Sequence, residues 1–140
     1  MLRAVVDVNV LVSALLAPGG TPAALLTAWR EGSFDLVLSP ALLAELGEVV
    51  ARPHLSGRIA ERDLFPFVTD LEHNAVLVDD PQTARYVARD PDDDYLVALA
   101  LAAGAHAIVT GDSALLGLGL ASPRILSPRD FLTALTRSGA

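Results

Sequence analysis

The sequence contains no cysteine and no lysine, and all ten of its basic residues are arginine. Without cysteine, the chain cannot form disulfide bonds, zinc–thiolate sites or a catalytic thiolate, and its composition suits a reducing cytoplasm. Without lysine, Schiff-base chemistry and a nucleotide-binding P-loop are excluded, because both depend on a lysine ammonium. No apolar run is long enough to span a bilayer, and Met1 to Arg3 lead directly into a strand pattern. We therefore expect neither a membrane anchor nor a signal peptide.

The remaining composition is that of a globular protein with an acidic surface. The chain has 140 residues, of which 52% are hydrophobic, and this predicts a single domain over residues 1–140 with an adequate core. Seventeen acidic and ten basic residues give a formal net charge of −7. This charge disfavours tight non-specific binding to nucleic acid, so any function on nucleic acid has to overcome it.

Short apolar runs alternate with helix-like stretches along the chain. We predict strands at residues 2–6, 34–38, 75–78, 105–109 and 124–126, and helices at 10–16, 22–31, 40–51, 61–73, 93–103, 113–116 and 128–136. Thr21 is expected to cap the second helix, residues 53–57 to form a break, and residues 79–89 have an ambiguous pattern. The strands are continuous apolar runs, which is typical of strands buried on both faces. The pattern therefore predicts an α/β fold with a central parallel sheet covered by helices.

Acidic residues recur where this sheet would bind a ligand. Asp7 and Asp112 each follow a predicted strand, and ligands of open parallel sheets bind at the carboxyl ends of the strands. The helix that follows the acidic run is apolar all round, so we expect it to be buried on every side. Asp94 is the member of the run closest to that helix, so we expect it to point inward, with Asp92 and Asp93 in capping or outer positions. Each position also has a purely structural explanation, because aspartate is favoured at helix N-caps and in first helical turns.

Glu45 lies on the edge of an apolar helical stripe. The stripe consists of Leu42, Leu43, Leu46, Val49 and Val50. Glu48 points away from the stripe and should be solvated, whereas Glu45 can reach a cleft beside the core or remain a surface glutamate. Brought together by the fold, Asp7, Glu45, Asp94 and Asp112 would form a carboxylate cluster that needs bound cations. Such a cluster is typical of a Mg²⁺ or Mn²⁺ phosphodiesterase site.

Four segments, at residues 5–14, 39–46, 89–100 and 107–112, resemble in order and spacing the acidic motifs of PIN domains. The resemblance covers nearly the whole chain and is closest to the VapC-like toxin components of bacterial toxin–antitoxin pairs. It implies a three-layer α/β/α sandwich and a Mg²⁺- or Mn²⁺-dependent ribonuclease. Val8 departs from the pattern, because many PIN domains have threonine or serine there. We expect this difference to tune the activity rather than abolish it.

The resemblance also implies the roles of individual residues. The metal-binding and catalytic set that it carries over is Asp7, Glu45, Asp94 and Asp112, with Asn9, Thr110 and Asp93 as supporting polar residues. Asp7 and Asp94 would bind the metal, Asp112 would bind it directly or through water, and Glu45 would position or deprotonate the attacking water or complete a second metal site. Hydrolysis by metal-activated water predicts products with 5′-phosphate and 3′-hydroxyl ends.

Partners follow from the same resemblance. We expect an RNA substrate, a homodimer and a cognate antitoxin encoded beside the gene. Exposed arginines could contact RNA phosphates along the rim, and the candidates are Arg52, Arg58, Arg62, Arg85 and Arg89. Two features could form a dimer interface, although core packing is the more common use of both. They are the short apolar N-terminal helix and the apolar pair of Leu25 and Trp29, one helical turn apart.

Other classes of protein also gather acids at the strand ends of a parallel sheet. Receiver domains and haloacid-dehalogenase-type phosphatases both require a lysine, and the latter also an aspartate where this chain has Asn9. One alternative stays open, which is a catalytically weak PIN-like module that binds protein or RNA. Cleavage that depends on a divalent metal separates the enzyme from this module.

Overall fold

The computed structural model describes residues 1–82 and 91–138. The strands in this part of the chain are β1 (Arg3–Val6), β2 (Asp35–Leu38), β3 (Val76–Leu77), β4 (Ala107–Val109) and β5 (Arg124–Leu126). The helices are α1 (Val8–Leu16), α2 (Thr21–Arg30), α3 (Pro40–Val50), α4 (Pro53–Ser56), α5 (Glu61–Asn74), α6 (Pro91–Ala103), α7 (Ser113–Leu116) and α8 (Pro128–Ser138).

The five strands form one parallel sheet in the order β3-β2-β1-β4-β5. The chain moves outward from β1 through β2 to β3, and then returns to place β4 on the other side of β1. The order of the strands therefore reverses between β1 and β4, where Val6 pairs with Val109. This arrangement confirms the predicted α/β fold with a central parallel sheet flanked by helices.

The core lies on the sheet and under the helices that flank it. The β-branched and aliphatic residues of β1, β2 and β4 are almost entirely buried, as expected for strands covered on both faces. Leu25 and Trp29 are buried in this core, which confirms that they pack inside. Phe34, just before β2, meets Phe131 of α8 edge to face, with ring centroids 5.0 Å apart.

Helix boundaries follow local capping chemistry, with two differences from the sequence pattern. Thr21 is the first residue of α2 rather than its cap, since the N-cap is Gly20 and no side chain caps this end. Residues 53–57 were expected to form a break, but Pro53–Ser56 form the short helix α4, because proline suits a first helical position. Helix α5 continues through Pro66, and its buried residues Phe67 and Leu71 lie one turn apart on the core side.

Helix α6 packs against β1 and β4 and carries the acidic run at its start. It ends at Gly104, whose φ of +63° is the left-handed conformation that glycine adopts readily after a helix. The expectation that α6 is buried all round is wrong at Leu101, which is 51% exposed, and at Ala102. Most of the ambiguous segment at residues 79–89 lies outside the described residues, as do Asp90, Arg85 and Arg89.

Among the described helices, no single one is long and apolar enough to cross a membrane. Helices α1 and α2 together pass the same test of length and composition, but they bend by 102° at their junction.

Candidate acidic site at the carboxyl ends of the strands

Asp7 sits at the point where the strand order reverses. It follows β1 directly, and its backbone N–H donates to the carbonyl of Val109 at 2.9 Å, which extends the pairing of β1 with β4. Its side chain caps α1, because Oδ1 accepts a hydrogen bond from the backbone N–H of Asn9 at 3.2 Å. Both the capping explanation and the predicted placement at the ligand-binding edge therefore hold for the same carboxylate.

Thr110 links Asp7 to the end of β4. Its hydroxyl is fully buried and donates to Asp7 Oδ2 at 2.8 Å, while the same oxygen accepts from the backbone N–H of Asp112 at 3.0 Å. Asp112 in turn caps α7, with its Oδ1 accepting from the N–H of Ala114 at 2.8 Å. The structure thus brings Asp7, Thr110 and Asp112 into one hydrogen-bonded chain across the β1–β4 edge.

Glu45 is electrostatically coupled to the same edge of the sheet. Its side chain is exposed overall, but partial burial of the carboxyl group is the largest cause that raises its pKa. Repulsion from the negative charges of Asp7 and Asp92 raises the pKa further, and the positive charge of Arg52 opposes this effect. The buried and exposed faces of α3 fall as the stripe predicts, with Leu42 and Leu46 inside.

The acidic run enters the core at the start of α6. Asp94 is only 7% exposed, which agrees with its predicted inward orientation. The predicted capping or outer position of Asp93 is wrong, because Asp93 lies inside α6 and is also buried, at 9% exposure. Asp92 is exposed and lies near enough to Glu45 for its charge to raise the pKa of that residue. Two buried aspartates therefore stand side by side in the first turn of α6.

An open cavity of about 390 Å³ adjoins Asp112 on the side of α1 and α2. Its lining includes Asn9, Ser13 and Gly111, so amide, hydroxyl and backbone groups face the space beside the carboxylates. The side chain of Asn9 is exposed, which suits the supporting polar role that the sequence motif implies.

The rim arginines differ in their surroundings. Arg52, Arg58 and Arg62 are all exposed, and of these Arg52 acts on the pKa of Glu45. Arg62 lines a separate cavity of about 630 Å³ between α1, α2 and α5, where Arg30 forms an ion pair of 2.9 Å with Asp70. The three histidines are exposed, as expected for residues outside the acidic motifs.

The donor chemistry of the site fits a hard divalent cation. Carboxylate oxygens are the ligands that Mg²⁺ and Mn²⁺ prefer. Burial raises the pKa of Glu45 most, and repulsion from Asp7 and Asp92, which a bound cation would relieve, raises it further. In residues 1–82 and 91–138, no three His, Cys, Asp or Glu side chains form a ready-made metal-binding group. Mg²⁺ usually keeps several waters and is bound through one or two carboxylates plus substrate phosphates, so it does not require such a group.

Three polar residues at this edge were not identified as site residues from the sequence. The hydroxyls of Ser39 and Tyr95 and the carboxylate of Asp80 are hydrogen-bonded to one another beside Glu45 and Asp94. Asp80 falls in the segment with an ambiguous pattern. The signal for Tyr95 is its position, since it is one of two tyrosines in the chain and stands between the acidic run and an aliphatic helix.

Comparison with known proteins shows the family and the fold of the chain. Residues 3–114 match the PIN domain family. The uncharacterized protein MJ1680 of Methanocaldococcus jannaschii is 31% identical over 118 residues, which cover 84% of this chain and 75% of that protein. The crystal structure of PAE2754 from Pyrobaculum aerophilum matches 97% of this chain and 90% of its own, with a TM-score of 0.66 and 16% identity, and supports the fold alone. The chain belongs to the PIN domain family.

Proposed function

We propose that this protein is a metal-dependent endoribonuclease that hydrolyses RNA phosphodiester bonds at the carboxyl ends of β1 and β4. PIN domains are generally metal-dependent nucleases, and this chain has the acidic residues at the motif positions. The observation that carries the proposal is the Asp7–Thr110–Asp112 chain at the point where the strand order reverses, with Glu45 electrostatically coupled to Asp7.

Each acidic residue has a defined task in this proposal. Asp7 and Asp94 would hold Mg²⁺ or Mn²⁺, and Asp112 would contribute directly or through a water molecule. When bound, the metal would supply an activated water and neutralise charge on the leaving oxygen. Glu45 would orient the attacking water and accept its proton, because a carboxylate with a raised pKa is a better proton acceptor near neutral pH.

The acidic surface is compatible with an RNA substrate. Part of the net charge of −7 lies in the candidate site, where a cation would offset it. The charge of Arg52 acts on the pKa of Glu45, and this arginine would contact a phosphate of the bound strand. Weak non-specific affinity suits an enzyme that selects a structured RNA by its shape.

The first test is cleavage of a panel of tRNA, rRNA and single-stranded DNA by the purified protein. Discrete RNA products are expected with Mg²⁺ or Mn²⁺, none with EDTA, and none from the Asp94→Asn variant. The matched control is Asp35→Asn, which makes the same chemical change at the amino end of the strands, at the start of β2. Products that persist in EDTA or in Asp94→Asn would contradict the proposed site.

The finer proposal is that the protein is the toxin of a toxin–antitoxin pair. It is supported by the similarity of the four motifs to VapC-like toxins. Induced expression in a bacterial host should arrest growth, the Asp94→Asn variant should not, and co-expression of the protein encoded beside the gene should restore growth. Equal growth arrest by the native protein and by Asp94→Asn would show that the toxicity does not depend on the nuclease site.

We also propose that the protein is a homodimer, as the resemblance of its motifs to those of VapC-like toxins implies. Leu25 and Trp29 are buried, so an interface would use other apolar surface, and Phe65 on α5 is 75% exposed. Light scattering after gel filtration should give the mass of two chains for the native protein and a shift towards one chain for Phe65→Ser. A native mass of one chain would exclude the dimer.

A second candidate is a PIN-like module that binds protein or RNA with little catalysis. The net charge and the lack of a ready-made metal-binding group among the described residues favour it. It predicts partner binding without metal-dependent cleavage of any RNA in the panel.

A further inference from the structure

The hydroxyl of Tyr95 is a junction between three segments of the chain. It lies 2.5 Å from Ser39 Oγ, at the end of β2, and donates a hydrogen bond of 2.5 Å to Asp80 Oδ1, in the segment after β3. Tyr95 itself belongs to the first turns of α6. Residues 56 and 15 positions apart in sequence therefore meet at one oxygen atom.

The hydroxyl proton of Tyr95 is committed to one partner. A tyrosine hydroxyl has one proton, and Tyr95 donates it to the carboxylate of Asp80. The Ser39 hydroxyl is hydrogen-bonded both to the Tyr95 oxygen and to the Asp80 carboxylate. Ser39 Oγ also accepts from the backbone N–H of Leu42 at 3.3 Å. Ser39 is completely buried, so this arrangement satisfies a hydroxyl that water cannot reach.

The same network completes the N-terminus of α3. The first helical residue, Pro40, has no N–H to satisfy, and the next two N–H groups both find side-chain acceptors. Asp80 Oδ1 accepts from Ala41 at 3.1 Å, and Ser39 Oγ accepts from Leu42. Ala41 lies four residues before Glu45, so it stands one turn away on the same face of the helix.

The network thus joins the two helices that carry acidic site residues. Tyr95 directly follows Asp94 on α6, and its partner Ser39 is the N-cap of α3, which carries Glu45. Asp80, the acceptor of the Tyr95 hydroxyl, lies after β3 and also accepts from the N–H of Ala41 in α3. The ring of Tyr95 packs against the core and is half-buried, so the hydroxyl is held from both ends. A hydroxyl fixed in this way constrains the separation between the two helices.

We propose that Tyr95 is a positioning residue of the acidic site, whose hydroxyl, held between Ser39 and Asp80, fixes the helix that carries Glu45 relative to the helix that carries Asp94. This inference rests on the proposed metal-dependent function. Carboxylates from two helices share a cation well only when their separation is fixed before binding, and loss of such support typically lowers metal affinity about 10–100-fold.

The test is Mn²⁺ binding measured by calorimetry on the full chain without RNA, together with the thermal midpoint of each protein. Tyr95→Phe removes only the hydroxyl and should weaken Mn²⁺ binding about tenfold. Asp80→Ala removes the acceptor of the Tyr95 hydroxyl and should weaken Mn²⁺ binding by a similar factor. Asp80→Asn keeps an oxygen that accepts from Tyr95 and Ala41, so it should retain most of the native affinity.

A control variant separates positioning from general destabilisation. Phe34→Leu weakens the core just before the amino end of β2, so it should lower the thermal midpoint without changing Mn²⁺ affinity. If Tyr95→Phe does not fold, the Asp80→Ala and Asp80→Asn pair gives the same comparison.

The outcomes distinguish this inference from the proposed function. Native protein that binds no Mn²⁺ would overturn the proposed metal site and the inference with it. If the native protein binds Mn²⁺ and Tyr95→Phe binds it with unchanged affinity, the inference alone is overturned. Equal weakening by Asp80→Asn and Asp80→Ala would also overturn it, because the charge of Asp80 would then explain the effect. Native binding, a tenfold loss in Tyr95→Phe and retention in Asp80→Asn would support it.

Discussion

Thr110 Oγ1 donates a hydrogen bond of 2.8 Å to Asp7 Oδ2, although the two residues are 103 positions apart in the sequence. The same hydroxyl oxygen accepts from the N–H of Asp112, so one threonine orients two acidic residues of the candidate site. Neighbouring strands β1 and β4 bring these positions together, since each residue lies at or just beyond a carboxyl end. The acidic site is therefore built into the central pair of strands.

Replacing Thr110 by valine should destabilise the protein and disturb the site. Valine has nearly the same shape but no hydroxyl, so the N–H of Asp112 loses its acceptor and Asp7 Oδ2 loses its donor. Because Thr110 is fully buried, the expected loss is about 1–3 kcal/mol in the free energy of unfolding, measured in urea. Thr110→Ser keeps the hydroxyl and should lose less, so equal losses in both variants would contradict this role.

The stability of the protein should depend on pH through Glu45. Below its ordinary pKa of 4.5, Glu45 is protonated in both the folded and the unfolded states. As the pH rises from 4.5 through the raised pKa of the folded state, the unfolded chain releases its proton first, so the free energy of unfolding falls. Glu45→Gln removes this contribution, and its stability relative to native protein should increase between pH 4 and pH 7 in metal-free urea titrations.

A control decides whether that effect belongs to Glu45. Asp35→Asn removes a negative charge at the amino end of β2, and its stability relative to native protein should not increase between pH 4 and pH 7. Parallel stability curves for Glu45→Gln and native protein across pH 4 to 7 would show that burial and repulsion from Asp7 and Asp92 do not raise the pKa of Glu45 in the folded protein.

Arg52 should contribute one phosphate contact to RNA binding. Its positive charge lowers the pKa of Glu45, so it acts on the electrostatics of the candidate site. Arg52→Gln should weaken binding of single-stranded RNA in EDTA and reduce the slope of log affinity against log salt by about 0.7, the value for one phosphate neutralised. The matched control is Arg124→Gln, which removes the same charge at the amino end of β5. Equal effects of the two variants would indicate a general charge effect.

The ends of the RNA products report the mechanism. A water activated by metal attacks the phosphorus directly, so the products should carry 5′-phosphate and 3′-hydroxyl groups. Mass spectrometry of the fragments distinguishes these ends from others. Fragments with 2′,3′-cyclic phosphate would show attack by the ribose 2′-hydroxyl, a route that the proposed roles of Asp7 and Glu45 do not serve.

Sequence patterns predicted the fold class and the parallel sheet because buried strands leave continuous apolar runs, such as Ala4–Val6 and Ala107–Val109. The inward orientation of Asp94 also followed from its position beside a buried helix. The error at Leu101 has a physical reason, since an apolar residue can remain exposed when its helix covers only part of the sheet.

The hydrogen-bonded network around Tyr95 could not be predicted in the same way. Ser39, Asp80 and Tyr95 belong to three segments, and only the strand order β3-β2-β1 brings the ends of β2 and β3 next to each other. Periodicity identifies which face of an element is buried, but it carries no information about which polar groups meet across elements. The same limit applies to the bond between Thr110 and Asp7.

The most direct test of the metal-dependent site is the single-turnover rate of RNA cleavage by Asp7→Asn in saturating Mg²⁺ or Mn²⁺. Asparagine keeps an oxygen that can cap α1, and its amide N–H can donate to Thr110 Oγ1 in place of the bond that Thr110 donates to Asp7, so the change removes charge and keeps both contacts. We predict a loss of at least about 100-fold relative to native protein, with the Asp35→Asn control unchanged. A cleavage rate within a few-fold of native would contradict the proposal that Asp7 binds the catalytic metal.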